Sequence, residues 1–210
     1  TRYAPDATYI IVSNPVDILT YTFHKFSDLP ENRIIGSGTI LDTARLRARL
    51  SEYYNINQSN VHAYVFGEHG DSSFIPWSVA NISNVPISKC NELISLPGME
   101  SPALNFDEIE QYVRKSGGRV IARKGATFYA VSISVCHICK CLLAGIDTTM
   151  TVSTMMHGEY GIDDVCLSTL NLVGHDGIRG KVNVPLTDEE TAKLRFSADT
   201  LKGVINSLNI

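Results

Sequence analysis

No apolar run in this 210-residue chain approaches the roughly 18 residues that a membrane span needs. No basic, then apolar, leader of the secretory kind opens it. No repeat and no low-complexity tract interrupts it. A Gly-x-Gly-x-x-Gly turn, the usual cradle for a dinucleotide pyrophosphate, occurs nowhere. Charge is sparse: 18 basic and 22 acidic side chains are interspersed, for a net charge of −4. That balance offers neither a nucleic-acid face nor a membrane-surface patch. Cysteine is scarce and odd in number, at five. Three of them crowd into "VCHICKC" (Cys136, Cys139 and Cys141, with His137 between), which invites zinc, but no second cysteine pair stands at metal spacing. The flanks "GATFYAVSIS" and "LLAGI" are apolar enough for a buried helix. The expectation is therefore buried, reduced thiols and no metal, in a cytoplasmic protein.

What is present is ordinary globular composition, 44% apolar, in a chain long enough for one large domain or two small ones. The chain opens on "TRYAPDA" rather than Met and reads as the later part of something longer. "ATYIIVS" is a short β-branched strand. "NPVDILTYTFHKFS" follows as a helix with Pro15 in its first turn. "IIGSG" is a second strand, and "TILDTARLRARLSEYYNI" a long amphipathic helix. Strand–helix–strand–helix order implies a parallel α/β unit, too small here for a complete doubly wound sheet. Beyond Asn57 the pattern becomes mixed. "VHAYVFG" and "FIPWSVAN" look strand-like and flank the loop "GEHGDSS". "SLPGMESPALNFDE" reads as a loop. Helices are expected over about Phe106–Arg123 and Ala126–Ala144. "TTMTVSTMM" and "DVCLSTLNLVG" suggest an antiparallel pair, and "KVNVPL" a further strand. A closing helix begins with Thr187 and Glu190 in capping-box spacing. The fold class is thus α/β plus α+β: residues 1–36 as the tail of a Rossmann-type domain, and 37–210 as a mixed α+β domain.

Chemistry concentrates in two places. In "LDTARLR", Asp42 and Arg45 are three apart and share a helix face. They could be a plain surface pair. They could equally serve a site, with Arg45 offering a planar fork to a carboxylate and Asp42 fixing the tautomer of a histidine. His69, between two glycines in "GEHGDSS", is the candidate histidine. Asn14 could cap the helix that begins at Pro15.

"VSNPVDILTY", "GSGTILDTARLR", "VHAYVFGEHGDSS", "KGATFYA" and "DEETAKLRFSADTLKGVI" occur in this order, and together they resemble the L-lactate dehydrogenase family in its bacterial form. The resemblance covers essentially the whole chain and corresponds to the last two thirds of a family member. It implies reversible NADH-dependent reduction of pyruvate to L-lactate. His69 is then similar to the proton donor and acceptor, Asp42 to the acid that orients it, and Arg45 to the anchor of the substrate carboxylate. Asn14 resembles the residue that binds the substrate oxygen beside the nicotinamide, and Thr127 a wall of the substrate pocket. Val12, Ser13, Asn14 and Ser37 match positions lining the nicotinamide and its ribose. The Asn14–Pro15 peptide matches one that is cis in the family.

The resemblance also assigns Arg47 and His62. Taken alone they are two scattered cations. In the bacterial enzymes the matching positions bind fructose 1,6-bisphosphate between subunits, which implies a homo-oligomer activated by that effector. His24, His137, His157 and His175 fall outside the motifs and are expected at the surface or in the core. Two other readings stand beside this one. The specificity loop that separates pyruvate from oxaloacetate is not among these residues, which leaves a lactate-like malate dehydrogenase. A chain without the Gly-rich cofactor turn could also be catalytically inactive by itself.

Overall fold

The computed structural model describes residues 1–94 and 104–208. Strand β1 (Tyr9–Ile11) and strand β2 (Ile34–Gly36) lie parallel, Tyr9 opposite Ile34. Helix α1 (Val16–Phe26) connects them, the expected crossover unit. All of β2 is buried, as befits a strand covered on both faces. Helix α2 (Ile40–Tyr54) buries Leu46, Leu50 and Tyr54 at four-residue spacing and ends on Asn55 in the left-handed region, φ 49°. A small antiparallel sheet follows: β3 (Val61–His62), β4 (Asn81–Ile82) and β5 (Val85–Pro86). Ser83 and Asn84, at φ 48° and 70°, form the tight turn of its hairpin. Helix α3 (Cys90–Leu93) is a single turn. Helices α4 (Phe106–Arg114), α5 (Ser116–Lys124) and α6 (Tyr129–Ala144) come next. The long hairpin of β6 (Thr148–His157) and β7 (Asp163–Gly174) is antiparallel, and β8 (Gly177–Lys181) extends it. Helix α7 (Asp188–Ser207) closes the fold behind the capping box of Thr187 and Glu190.

The main sheet runs β1-β2-β6-β7-β8. Its parallel and antiparallel parts meet through one paired position, Gly36 with Ser153. Three apolar clusters hold the elements together: one between α1, β7 and α7 around Phe66, Leu167 and Leu194; one under α2 around Leu46, Leu50 and Tyr54; one between β6 and α6 around Val152 and Ile138. No helix among the described residues is long and apolar enough to cross a membrane.

Several expectations need correction. "FIPWSVAN" is not one strand: Phe74 makes a single bridge, to Phe66, Trp77–Val79 is a 3-10 turn, and only the last residue, Asn81, belongs to a strand, β4. Pro76 ahead of that turn has no N–H to give a ladder. "VHAYVFG" is strand only at Val61–His62, with bridges at Phe66 and Gly67. The single helix over 106–123 is two, α4 and α5, broken at Lys115, with the weak helix formers Ser116, Gly117 and Gly118 opening the second. The "KVNVPL" strand sits earlier, at β8. Most of the loop over 95–108 lies outside the described residues. Helix α6 is not buried all round. Ser134, Ile138, Cys141 and Leu142 face inward, while Ile133 and Leu143 are 70% and 84% exposed. The expected buried thiols divide accordingly: Cys141 is buried, Cys139 half-buried and Cys136 exposed, and all are free. No group of three His, Cys, Asp or Glu able to hold a metal is present among the described residues.

One glycine decides how α2 is launched. Gly38 adopts φ +50°, and a Cβ there would stand 2.2 Å from Ser168 Oγ and 2.7 Å from the Ser153 backbone nitrogen. The Gly38→Ala variant is expected to lose roughly 2 kcal/mol or more of stability through combined backbone strain and overpacking. A thermal melt of the purified variant checks this; an unchanged midpoint would mean that α2 can start another way.

Candidate active site

A cavity of about 470 Å³ opens where the C-terminal ends of β1 and β2 meet the start of α2, the 67–73 loop and helices α4 to α6. Val12, Ser13 and Asn14 reach it from the end of β1, and Ser37 from the end of β2. Asp42 and Arg45 reach it from the first turns of α2, His69 from the loop, and Thr127 from the turn before α6. Every site residue expected around substrate and nicotinamide is thus brought to one cavity. Asn14 is not a helix cap: α1 begins at Val16, its N-cap is Pro15, and no side chain caps it. The Asn14–Pro15 peptide is cis.

The charged centre is a short relay. Asp42 is buried at 8% exposure. Its Oδ2 lies 2.6 Å from His69 Nδ1, and its Oδ1 accepts from Arg45 Nη1 at 3.1 Å. A carboxylate only accepts, so Nδ1 carries a proton and Nε2 is the ring nitrogen left for a ligand. The Asp42 hydrogen bond pushes the His69 pKa up, burial pulls against it, the charges of Asp42 and Asp17 add to the rise, and Arg45 opposes it. His69 therefore holds its proton further into the alkaline range than a free imidazole. Arg45 is 17% exposed. One terminal nitrogen is engaged by Asp42, and the side chain lines the cavity.

The loop that carries His69 is anchored from three sides. Gly67 pairs with Ser168 of β7, N to O at 2.9 Å. Glu68 N–H donates to Ser197 Oγ of α7 at 2.7 Å, and the Glu68 carboxylate folds back onto Ser72. His69 N–H donates to Asp17 Oδ2 of α1 at 2.7 Å. Gly67 has φ +92°, and a Cβ would come within 2.6 Å of Ser197 Oγ, so this position demands glycine.

Two residues at or behind the site escaped the sequence. Arg114 lines the same cavity and donates to the Ser73 carbonyl at 2.6 Å and to Glu110 at 2.8 Å; only its spacing from Glu110 hinted at an ordered role. Asp17 reads as a favourable acid in a first helical turn, and nothing in the sequence marks it as buried at 3% exposure.

Arg47 and His62 lie elsewhere. Arg47 Nε donates to the Ala63 carbonyl at 3.0 Å, beside His62, and its guanidinium stacks 5.1 Å from the Tyr64 ring centre. His62 is exposed on β3. Neither residue lines the cavity. None of His24, His137, His157 and His175 lines it either. His157 pairs with Glu31 at 2.5 Å, His175 Nδ1 donates to the Leu142 carbonyl at 3.2 Å, His24 is half-buried, and His137 is exposed.

The end of β1 and the start of α2 could hold a nicotinamide ring and its ribose, because Val12, Ser13 and Ser37 offer small side chains around an open cleft. The pyrophosphate and adenosine have no corresponding glycine-rich turn in this sequence.

Comparison with known proteins agrees with this architecture. A family model described as lactate/malate dehydrogenase, alpha/beta C-terminal domain, matches residues 39–209. One described as the NAD binding domain of the same family matches residues 1–36. An L-lactate dehydrogenase of Acetivibrio thermocellus is 42% identical over 210 residues, covering 100% of this chain and 65% of that protein. One from Thermoanaerobacterium saccharolyticum is 43% identical, covering 100% of this chain and 66% of its own length. The chain thus spans about 65% of the length of these curated relatives. Among solved structures, a lactate dehydrogenase from a Medee basin deep-sea metagenome library superposes with a TM-score of 0.90 at 34% identity, covering 96% of this chain and 63% of that one. The L-lactate dehydrogenase of Clostridium thermocellum gives 0.85 at 38% identity, with 96% and 65% covered. The chain belongs to the lactate/malate dehydrogenase family.

Proposed function

We propose that this chain carries the catalytic part of an L-lactate dehydrogenase, which reduces pyruvate to L-lactate reversibly with NADH. The observation that carries the proposal is the relay of Arg45, Asp42 and His69 on one cavity wall, with Asn14 and Thr127 on the same cavity. The nicotinamide supplies the hydride when bound. Arg45 binds the substrate carboxylate through its fork. Asn14 and His69 hold the carbonyl oxygen. His69 Nε2 gives that oxygen a proton in reduction and takes it back in oxidation, and Asp42 stabilises the imidazolium between the two steps. Val12, Ser13 and Ser37 take the nicotinamide side and Thr127 the far wall. The division into a cofactor-binding part, 1–36, and a substrate part, 37–210, is included in the proposal. So is a reducing, cytoplasmic setting, which the free cysteines support.

The test is NADH consumption, followed by absorbance, with pyruvate and with oxaloacetate as acceptors. Faster turnover of pyruvate supports the proposal; preference for oxaloacetate would make the substrate a dicarboxylate and the enzyme a malate dehydrogenase. No consumption with either, by protein shown to be folded, would leave the 210 residues without the catalysis assigned to them.

Regulation belongs to the same proposal. Arg47 bonds the backbone one residue from His62, outside the cavity, and two copies of the pair brought together would present donors for two phosphates. We assign them to fructose 1,6-bisphosphate at a contact between chains of a homo-oligomer. Addition of the bisphosphate is expected to raise turnover and assembly, and Arg47→Gln to weaken the activation about tenfold or more in effector concentration. Equal activation of parent and variant would remove Arg47 from the effector site.

A further inference from the structure

We propose that Asp17 is a positioning residue that ties together the two groups assigned to the substrate oxygen, Asn14 and His69. The inference rests on the hydride-transfer reading above. Asp17 stands three residues after Asn14, in the first turn of α1, whose N-cap Pro15 directly follows Asn14. Its Oδ2 accepts the backbone N–H of His69 at 2.7 Å, and its Oδ1 is buried as well. The same carboxyl thus joins the backbone of the histidine to the helix start that follows Asn14.

A carboxyl merely placed for the helix dipole could stay in water. This one is 3% exposed, at a cost that an apolar residue would avoid. The loop does not need it simply to be anchored, since Ser168 and Ser197 already hold Gly67 and Glu68. Asp17 is the anchor that touches His69 itself, and it carries charge. The groups facing it are His69 and Glu68 from the loop, Ser153 from β6 and, by charge, Cys166 from β7. Burial raises its carboxyl to about 6, so above that pH it is an anion whose charge acts on the His69 imidazole.

The test is NMR of the isotope-labelled chain, following the amide and the imidazole of His69. Asp17→Asn keeps an acceptor oxygen and removes the charge; the His69 titration midpoint is expected to fall by about 0.5–1 pH unit. Asp17→Ala removes the acceptor, and the His69 amide is expected to exchange with solvent faster. Ser197→Ala loosens the same loop from α7 and should leave the midpoint in place, which a purely structural role for Asp17 would not distinguish. The proposal is overturned if Asp17→Asn leaves the midpoint unmoved, if Ser197→Ala moves it as far, or if Asp17→Asn fails to fold. Because the readout is the imidazole itself, a failure of the lactate assignment would show as absent turnover and leave this result standing.

Discussion

Replacing His69 by Gln is expected to lower kcat/KM for pyruvate reduction by about 10²- to 10⁴-fold, the usual contribution of a positioned general acid. Stability should fall by about 1–3 kcal/mol, since the buried Asp42 carboxylate loses its 2.6 Å partner, so activity is compared on protein shown to be folded. The pH profile of the parent carries the sign. In the proposed reaction, reduction needs the protonated imidazole. Its pKa is raised, chiefly by the Asp42 hydrogen bond, so reduction should hold to a higher pH than an unperturbed imidazole would allow and decline as pH rises through the raised value. Lactate oxidation needs the neutral form and should rise over the same window. Asp42→Asn removes the largest cause of the rise and should move both limbs toward lower pH. Since Asp42 acts through His69, combining the two substitutions should cost little more than His69→Gln alone. Additive losses in that double variant would separate the two residues and break the relay.

How much of this was legible in the sequence follows from what each residue's role depends on. The parallel unit of β1, α1 and β2 showed because buried parallel strands are continuous apolar runs. The capping box on α7 showed because Thr187 and Glu190 form a local motif. Asp42 and Arg45 were readable as a pair by helix spacing alone. Their junction with His69, 27 positions from Asp42, was not, because no local pattern encodes where a loop lands; the family resemblance supplied it. The false strand at "FIPWSVAN" came from apolar residues that the α2 cluster buries without a ladder, as Ile75 and Ala80 do. The half-open face of α6 was hidden for the converse reason: composition reports apolar side chains, not which of them find a neighbour. Asp17 was missed because its burial depends on Ser153 and the His69 loop closing over it, long-range events that an acid in a first helical turn does not announce.

Arg45→Leu should cost roughly 2–5 kcal/mol of transition-state stabilisation, about 30- to 5,000-fold in kcat/KM, as expected when one partner of a desolvated charge pair is removed. Two further signatures separate this loss from general damage. First, KM for pyruvate should rise steeply, because Arg45 is assigned to a carboxylate present in ground and transition states alike. Arg45→Lys should restore only part of it, since an ammonium keeps the charge and loses the two-pronged geometry. Second, the pH limb should move in the opposite direction from that of Asp42→Asn. Arg45 opposes protonation of His69, so removing its charge lets the imidazole hold its proton to higher pH, and reduction should decline later on the alkaline side. Asp42 loses its second partner in this variant but keeps its bond to His69, so the tautomer survives. A profile shifted to higher pH together with a raised KM would place Arg45 at the substrate carboxylate and within the field of His69. An unchanged KM for pyruvate would remove Arg45 from the substrate and leave it only as a partner of Asp42.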